Sequence, residues 1–240
     1  TITPNDKEVS LTKQPNLAEN PVFLSKSFDI SGEKIGYLVY NSFTNEYDED
    51  LNNAFGDLKA AGVTNLVLDL RYNPGGSVNS ARLLSSMIYG TNTENLFLKQ
   101  RWNDKIQGQL SAEQLEDYFG DQTGAGTALN TLNLSKVYVL ATGSSASASE
   151  LVMNGLAPYM EVIHIGETTR GKNEFSITMV DDPQGSFIFN ADREGEINAD
   201  NKWAIQPLVG RNENADGFSD YTAGFTPDIE LQEDLANLGI

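Results

Sequence analysis

The stretch Thr142-Gly-Ser-Ser-Ala-Ser-Ala-Ser-Glu150 organises this chain. It is a run of small residues between an apolar alternation typical of a strand, at 137–141, and a helical pattern that starts at Leu151. A strand, a tight turn and a helix form the arrangement in which many α/β enzymes present a nucleophilic serine. The sequence therefore predicts that one serine of the stretch takes part in chemistry and that groups elsewhere activate it.

The segments before this stretch alternate between strand and helix patterns. Apolar runs at 34–41 and 64–70 are typical of buried strands, and the second run is typical of a parallel strand covered on both faces. The pattern over 47–61 predicts an amphipathic helix that ends at Gly62, and 78–89 predicts a second helix. This β-α-β-α order predicts an α/β fold with a largely parallel sheet flanked by helices.

The remaining segments give weaker patterns. A strand is expected at 96–102, and Ser111 is expected to cap a helix over 111–119. The polar run 191–202 is expected to be a hairpin or loop. Further strands are predicted at 161–165, 175–180, 186–190 and 203–209 and within 224–231.

The N-terminal residues resemble a separate piece. An exposed-strand alternation at 8–13 is followed by a polar linker with two prolines. We expect 1–30 to be the last strand and linker of a preceding domain, a short β-rich remnant, and 31–240 to be the catalytic domain.

Composition excludes several classes of partner and site. The 240 residues carry a net charge of −18, which argues against nucleic acid or an anionic membrane surface as the main partner. The chain has no cysteine and one histidine, His164, so thiolate and multi-histidine metal sites are excluded. No metal and no cofactor are expected. No apolar run reaches the length of a membrane span.

A serine hydroxyl needs a base to take its proton. His164 lies inside an apolar strand pattern, where packing explains it, so a catalytic role is not favoured. The alternative base is a lysine made neutral by burial, because desolvation disfavours the ammonium form. Lys172 follows Gly171 shortly after a core strand, at the end of the sheet where active sites gather. Lys172 is therefore the candidate general base.

Backbone N–H groups are needed to stabilise the negative charge that develops on the attacked carbonyl. The loop Asn73-Pro-Gly-Gly76 follows a predicted parallel strand and precedes a helix. Its glycines allow the backbone to approach a substrate closely. The amide of Ala148, at a helix N-terminus, would be a second donor.

Four blocks in order resemble the C-terminal processing (tail-specific) peptidase family. They are Asp69-Leu-Arg-Tyr-Asn-Pro-Gly-Gly76, Ser145-Ala-Ser-Ala-Ser-Glu150, Gly166-Glu-Thr-Thr-Arg-Gly-Lys172 and Gly224-Phe-Thr-Pro-Asp-Ile229. The resemblance extends over about residues 33–231. It implies a crotonase-like (ClpP/crotonase) α/β protease core. Many members carry a PDZ domain just before it, and 1–20 resembles the exit from such a domain.

The resemblance also implies roles for individual residues. Ser147 would be the nucleophile and Lys172 its general base. Gly75 or Gly76, together with the Ala148 amide, would form the oxyanion hole.

Further matched residues would support the site. Thr169 would orient the lysine by a hydrogen bond, and Glu150 would brace the helix start, although a glutamate in a first helical turn is also ordinary dipole compensation. Asp69 and Arg71 match family residues and are expected to be structural.

Two positions depart from the family pattern. Many members have a glutamine four residues after the lysine as a third catalytic partner, and Ser176 stands there in this chain. Some members have an acidic residue where this chain has Pro158. Both departures concern how Lys172 is oriented.

The implied function is a serine endopeptidase that cuts proteins near unstructured or C-terminal segments. The alternative is a weak or inactive peptide-binding or scaffold member of the same fold. An acyl-CoA enzyme is disfavoured, because this acidic chain has no obvious cationic site for the CoA phosphates. The resemblance implies protein or peptide substrates and a bacterial periplasm or cell envelope, with any membrane association through an anchor upstream of this chain.

Overall fold

The computed structural model describes residues 10, 12–15, 17–90, 92–185 and 187–234. Within these residues the chain forms ten strands and five α-helices. The strands are β1 (Val22–Ile30), β2 (Glu33–Tyr40), β3 (Asn65–Asp69), β4 (Leu96–Trp102), β5 (Glu116–Tyr118), β6 (Lys136–Ala141), β7 (Glu161–Gly166), β8 (Glu174–Ser176), β9 (Leu208–Glu213) and β10 (Ile229–Glu230). The helices are α1 (Asp48–Ala60), α2 (Val78–Tyr89), α3 (Asp104–Gln107), α4 (Ala112–Leu115) and α5 (Ala148–Leu156).

A six-stranded sheet in the order β1-β2-β3-β6-β7-β10 forms the centre of the molecule. Every pairing in it is parallel except that of β1 with β2. The predicted α/β fold with a largely parallel sheet and flanking helices is confirmed. Because β3, β6 and β7 are neighbours and run the same way, the loops that follow them meet at one edge of the sheet.

The two faces of this sheet are buried to different extents. Leu66 and Leu68 of β3 are fully buried in the core that α1, α2 and α5 help to form. Val67, on the other face of β3, is only half-buried. The prediction that this strand is covered on both faces is therefore wrong for the described residues.

A second, antiparallel sheet in the order β5-β4-β9-β8 was not predicted as a unit. The predicted strand at 96–102 is confirmed as β4. The predicted helix over 111–119 is only the single turn α4, because Glu116–Tyr118 pairs with β4 instead. The strand predicted at 203–209 lies further along the chain, as β9. The run 191–202 contains a short 3-10 helix, Ala191–Glu196.

The N-terminal strand β1 belongs to the main sheet. It pairs with β2 from Val22 to Ile30, so a division at residue 30 separates two paired strands. The strand predicted at 8–13 lies mostly outside the described residues, and residues 10, 12 and 13 are not in a strand. The assignment of 1–20 to a preceding domain stays a prediction.

Candidate active site

The loop after β3 and the turn after β6 are joined by buried hydroxyl groups of the turn. Thr142 donates to the carbonyl of Arg71 (2.6 Å), Ser145 to that of Leu70 (2.7 Å) and Ser149 to that of Asn73 (2.8 Å). Each bond satisfies a main-chain acceptor that the parallel sheet cannot reach. These three hydroxyls therefore hold the two loops together.

Ser147 differs from its neighbours in backbone and in surroundings. Its φ of 57° and ψ of −111° place it in a region that non-glycine residues rarely adopt, at the start of α5. Such strain is typical of a serine held on a sharp strand-to-helix turn. Ser147 is half-buried and lines a cavity of about 250 Å³ together with Lys172. The structure thus brings the predicted nucleophile and base to one cavity.

Gly75 packs directly beneath Ser147. A Cβ atom on Gly75 would lie 2.8 Å from the Ser147 Cβ and 2.9 Å from the Ala148 nitrogen. The Gly75 N–H donates to Asn73 Oδ1 at 2.9 Å, so this amide already has an acceptor. The buried Asn73 side chain also donates to the carbonyl of Tyr40 at 2.9 Å and thereby fixes the loop to β2.

Gly76 presents its amide differently. Phe43 donates to the carbonyl of Gly75 and accepts from the amide of Ser77, which is a parallel bridge around Gly76. In such a bridge the N–H of the middle residue points away from the partner. Gly76 and Ala148 both line the cavity, and among the described residues neither N–H has a hydrogen-bond acceptor. Of the two glycines named from sequence, Gly76 is therefore the one whose amide is available.

Glu150 links the turn at Ser147 to the segment 169–172 through one buried carboxylate. It accepts from the amides of Ser147 (2.9 Å), Gly171 (2.6 Å) and Lys172 (2.9 Å) and from the Thr169 hydroxyl (2.6 Å). Hydrogen bonds to a charged acceptor are about twice as strong as neutral ones. The carboxylate thus positions the backbone of both Ser147 and Lys172.

The Thr169 side chain does not contact the lysine amine. Its hydroxyl donates to Glu150 and accepts from the Phe225 amide at 2.8 Å. The predicted bond from Thr169 to the lysine is therefore replaced by a link that passes through Glu150.

Lys172 is exposed, whereas burial was predicted. It follows Gly171 at the rim of the cavity, and in the described part of the chain its amine has no hydrogen-bond or ion-pair partner. Ser176, at the end of β8, is also exposed and lines the same cavity. Ser176 and Lys172 thus line one cavity, but among the described residues no hydrogen bond joins them. Pro158 follows α5 and does not line the cavity.

Several polar residues of the cavity were not predicted. Asn173, Asn212 and Tyr221 are buried and line it, and the Asn173 Oδ1 atom has no hydrogen-bond partner among the described residues. Burial and the charges of Glu150 and Glu174 raise the pKa of Tyr221, so its phenol stays protonated. These residues come from the second sheet and from the loop before β10, whose sequence patterns gave no indication of them.

Asp69 and Arg71 form a buried ion pair beside the site. Arg71 Nη2 lies 2.7 Å from Asp69 Oδ2 and Nη1 lies 3.4 Å from Glu233. Hydrogen bonding to Asp69 raises the pKa of Arg71, and burial together with Asp69 raises the pKa of Tyr37 to about 12. Neither Asp69 nor Arg71 lines the cavity of Ser147, so both support the loop from outside.

His164 lies in β7 and does not line the cavity. It is 3% exposed, and neither ring nitrogen has a hydrogen-bond partner within the described ranges. Burial lowers the pKa of the imidazole. No three histidine, aspartate or glutamate side chains of the described residues lie close enough to hold a metal ion.

Comparison with known proteins agrees with this geometry. The model of peptidase family S41 matches residues 34–231. This chain belongs to peptidase family S41. The S41 match spans all four sequence blocks, both loops of the cavity and the cavity-lining strands β8 and β9.

The S41 relatives include carboxyl-terminal-processing enzymes. A carboxyl-terminal-processing protease of Picosynechococcus sp. is 28% identical over 210 residues, which cover 84% of this chain and 44% of that protein. Carboxyl-terminal-processing peptidase 3 of Arabidopsis thaliana, described as chloroplastic, is 29% identical and is covered over 27% of its length. This S41 chain therefore spans less than half the length of these two relatives.

A solved S41 structure has the same fold. The protein from Bacteroides fragilis, assigned to the S41 proteases, superimposes with a TM-score of 0.74 at 32% identity, over 91% of this chain and 52% of its own. None of the helices in the described part of the S41 chain has the length and hydropathy of a membrane span.

Proposed function

We propose that this chain is the catalytic part of a serine endopeptidase that hydrolyses peptide bonds with a Ser147–Lys172 dyad. The observation that carries the proposal is the single cavity lined by Ser147, Lys172, Gly76 and Ala148. The Glu150 carboxylate supports it further, because it bonds the amides of both dyad residues. Membership of family S41 supports the same reaction class.

In the proposed reaction these groups act in sequence. The Ser147 hydroxyl attacks the scissile carbonyl carbon while Lys172 accepts its proton. The amides of Gly76 and Ala148 donate to the oxyanion that forms. Lys172 then gives its proton to the leaving amine, and water hydrolyses the acyl-enzyme by the same route. No step needs a metal or a cofactor.

Because Lys172 is exposed, the bound substrate itself would have to exclude water from the amine. A polypeptide in the cavity would cover the amine and remove water from around it. Loss of that water disfavours the charged form of an amine and favours the neutral base. Binding and activation of Lys172 are then coupled.

The test is cleavage of casein, an unfolded protein. Ser147→Ala and Lys172→Ala are each expected to lower kcat by at least about a thousandfold, since triad-type groups contribute on this scale. The controls are Ser144→Ala and Lys59→Ala, which change an exposed serine and an exposed lysine outside the cavity. Full activity after either dyad substitution would falsify the dyad.

A second candidate is a peptide-binding member with weak or lost catalysis. Two observations favour it: the exposed amine of Lys172, which has no partner among the described residues, and the serine at position 176 in place of a longer side chain. Under this function the wild type would bind unfolded polypeptide without cleaving it. Turnover by the wild type that depends on Ser147 would exclude it.

The substrates and location follow from the family resemblance. We propose cleavage near unstructured or C-terminal segments of proteins, because an open cavity at the sheet edge admits an extended chain more readily than a folded one. We also propose a bacterial periplasm or envelope as the location. Fractionation of the source cells tests the location.

A further inference from the structure

An exposed apolar surface adjoins the cavity. Three short stretches form it, 178–180, 187–189 and 203–206, which we call the apolar arm. Met179 lies between Ile188 and Ile205, bridged to both. The amide of Met179 donates to Ile205 (2.8 Å) and the amide of Phe189 donates to Thr178 (2.8 Å). Two isolated antiparallel bridges thus join the three stretches through Met179.

The arm exposes large apolar side chains to solvent. They are Trp203 (84% exposed), Ile205 (62%), Phe187 (47%), Ile188 (45%) and Phe189 (42%). Directly paired residues lie on the same face of a ribbon, so Ile188, Met179 and Ile205 form one apolar row. Contiguous exposed apolar side chains are typical of a binding surface.

The arm is continuous with the cavity. Its central stretch follows directly from β8, whose residues Phe175 and Ser176 line the cavity. An extended chain advances about 3.3 Å per residue, so Met179 lies on the order of 10 Å along the chain from Ser176. A polypeptide bound in the cavity would reach the arm within a few residues.

The charges around the arm restrict which kind of partner can bind to it. Asp192, Glu194, Glu196 and Asp200 are exposed near it in the sequence, whereas the two basic residues of 177–209 are the exposed Lys202 and Arg193, which is paired with Asp182. A second copy of this chain would bring the same acidic rim and a net charge of −18, and like charges across an interface are costly. A segment with apolar and basic residues fits both features.

We propose that the apolar arm binds the substrate polypeptide outside the cleaved bond and selects unfolded segments rich in apolar and basic residues. This rests on the proposed peptidase activity and adds its substrate class. The arm contributes affinity for long chains only, because a short peptide confined to the cavity does not reach it.

The decisive variant is Trp203→Ser combined with Ile205→Ser. Its matched control is Phe23→Ser combined with Phe28→Ser, which removes two exposed aromatic side chains from β1. The long substrate is reduced, carbamidomethylated lysozyme, a basic unfolded chain, and the short one is a fluorogenic peptide copied from its first cleavage site. We expect KM for the long substrate to rise about tenfold in the arm variant, as for loss of an aromatic anchor. The short peptide and the control variant should be unchanged.

Equal loss on both substrates, or no loss, would overturn the proposal. If the double variant fails to fold, as judged by circular dichroism, Ile205→Ser alone is measured in the same way. Reduced, carbamidomethylated α-lactalbumin, an acidic chain of similar length, should be cleaved more slowly, and raised salt should narrow the difference as charges are screened. Equal rates at low salt would refute the charge preference.

A binding measurement tests the arm independently of the proposed peptidase activity. Labelled unfolded lysozyme is titrated into Ser147→Ala protein with and without the arm substitutions and followed by anisotropy. Weaker binding only when the arm is changed supports the arm, even if no variant cleaves. A dimeric wild type that becomes monomeric in the arm variant, with lysozyme cleavage unaltered, would show that the surface binds a second copy instead.

Discussion

At the scale of single residues, Gly76 occupies a position where any side chain collides with the main chain. Its φ is 137°, and a Cβ atom would lie 2.1 Å from the carbonyl oxygen of Phe43. That carbonyl also accepts from the amide of Ser77, so it cannot move freely. The same hydrogen bonds that exclude a side chain leave the Gly76 amide turned toward the cavity.

Gly76→Ala should therefore lose both stability and cleavage. We expect the free energy of unfolding to fall by about 3 kcal/mol, as for other substitutions at strained sites. The control is Gly32→Ala, which also has a positive φ, 85°, but no atom within 4 Å of the added Cβ. Gly32→Ala should lower the free energy of unfolding by about 1 kcal/mol and leave kcat/KM unchanged. Thermal unfolding and casein cleavage measure both, and wild-type activity of the Gly76 variant would exclude its amide from the oxyanion site.

At the scale of elements, the turn between β6 and α5 is held in place by its own side chains. Ser145 is fully buried, accepts from the Thr142 amide at 3.0 Å and donates to the Leu70 carbonyl at 2.7 Å. It therefore joins the turn to the end of β3 across the parallel sheet. The neighbouring Ser144 is exposed.

Adjacent serines allow a matched comparison. Ser145→Ala leaves the buried Thr142 amide without its acceptor and removes one of two donors to the Leu70 carbonyl, which should lower the free energy of unfolding by about 2 kcal/mol. Because the turn sets the Ser147 backbone, kcat should fall several-fold with little change in KM. Ser144→Ala should change neither quantity. Equal behaviour of the two variants in urea unfolding and in cleavage would contradict a clamping role for Ser145.

Periodic patterns predicted the elements that bury an apolar face in the core. Helix α2 and strands β4, β6 and β7 lie where their patterns placed them, because alternation and helical spacing report burial directly. The predicted helix over 111–119 is cut short because its second half pairs with β4, and strand β9 is displaced because it pairs with β4 from a distant part of the chain.

The candidate site also has features that the sequence predicts and features that it does not. The small-residue turn and the glycine loop were predicted, because nucleophile and oxyanion chemistry demand those residue types. The four bonds to Glu150 and the exposure of Lys172 were not, because they depend on how the segment after β7 folds back over α5.

At the scale of the whole molecule, the cavity lies where the two sheets meet. Ser147 and Gly76 come from loops of the parallel sheet, whereas Ser176 and Asn212 come from strands of the antiparallel sheet. Stability of the parallel sheet therefore maintains only one wall of the cavity. His164, buried in β7 of that sheet, links this stability to pH.

The chain has one histidine, so its effect on stability can be isolated. Burial lowers the pKa of His164, whereas in the unfolded chain the imidazole has a pKa of about 6.5. Below that pH the unfolded state binds a proton that the folded state resists, so the free energy of unfolding should fall with falling pH, by at most about 1.4 kcal/mol per pH unit. Above about pH 6.5 the neutral His164 makes its full contribution to the free energy of unfolding.

His164→Leu should flatten this dependence between about pH 7 and pH 5.5. Urea unfolding of both proteins at several pH values in that window measures the slopes. Parallel slopes would show that carboxyl groups, not His164, cause the acid sensitivity.

The Glu150 carboxylate also constrains how this chain can be redesigned. Because one side chain bonds the main chain at Ser147, Gly171 and Lys172, the proposed nucleophile and base cannot be moved independently of each other. A graft of the dyad into another scaffold would have to transplant this shared anchor along with the two reactive residues. An insertion or deletion in either loop would displace both residues at once.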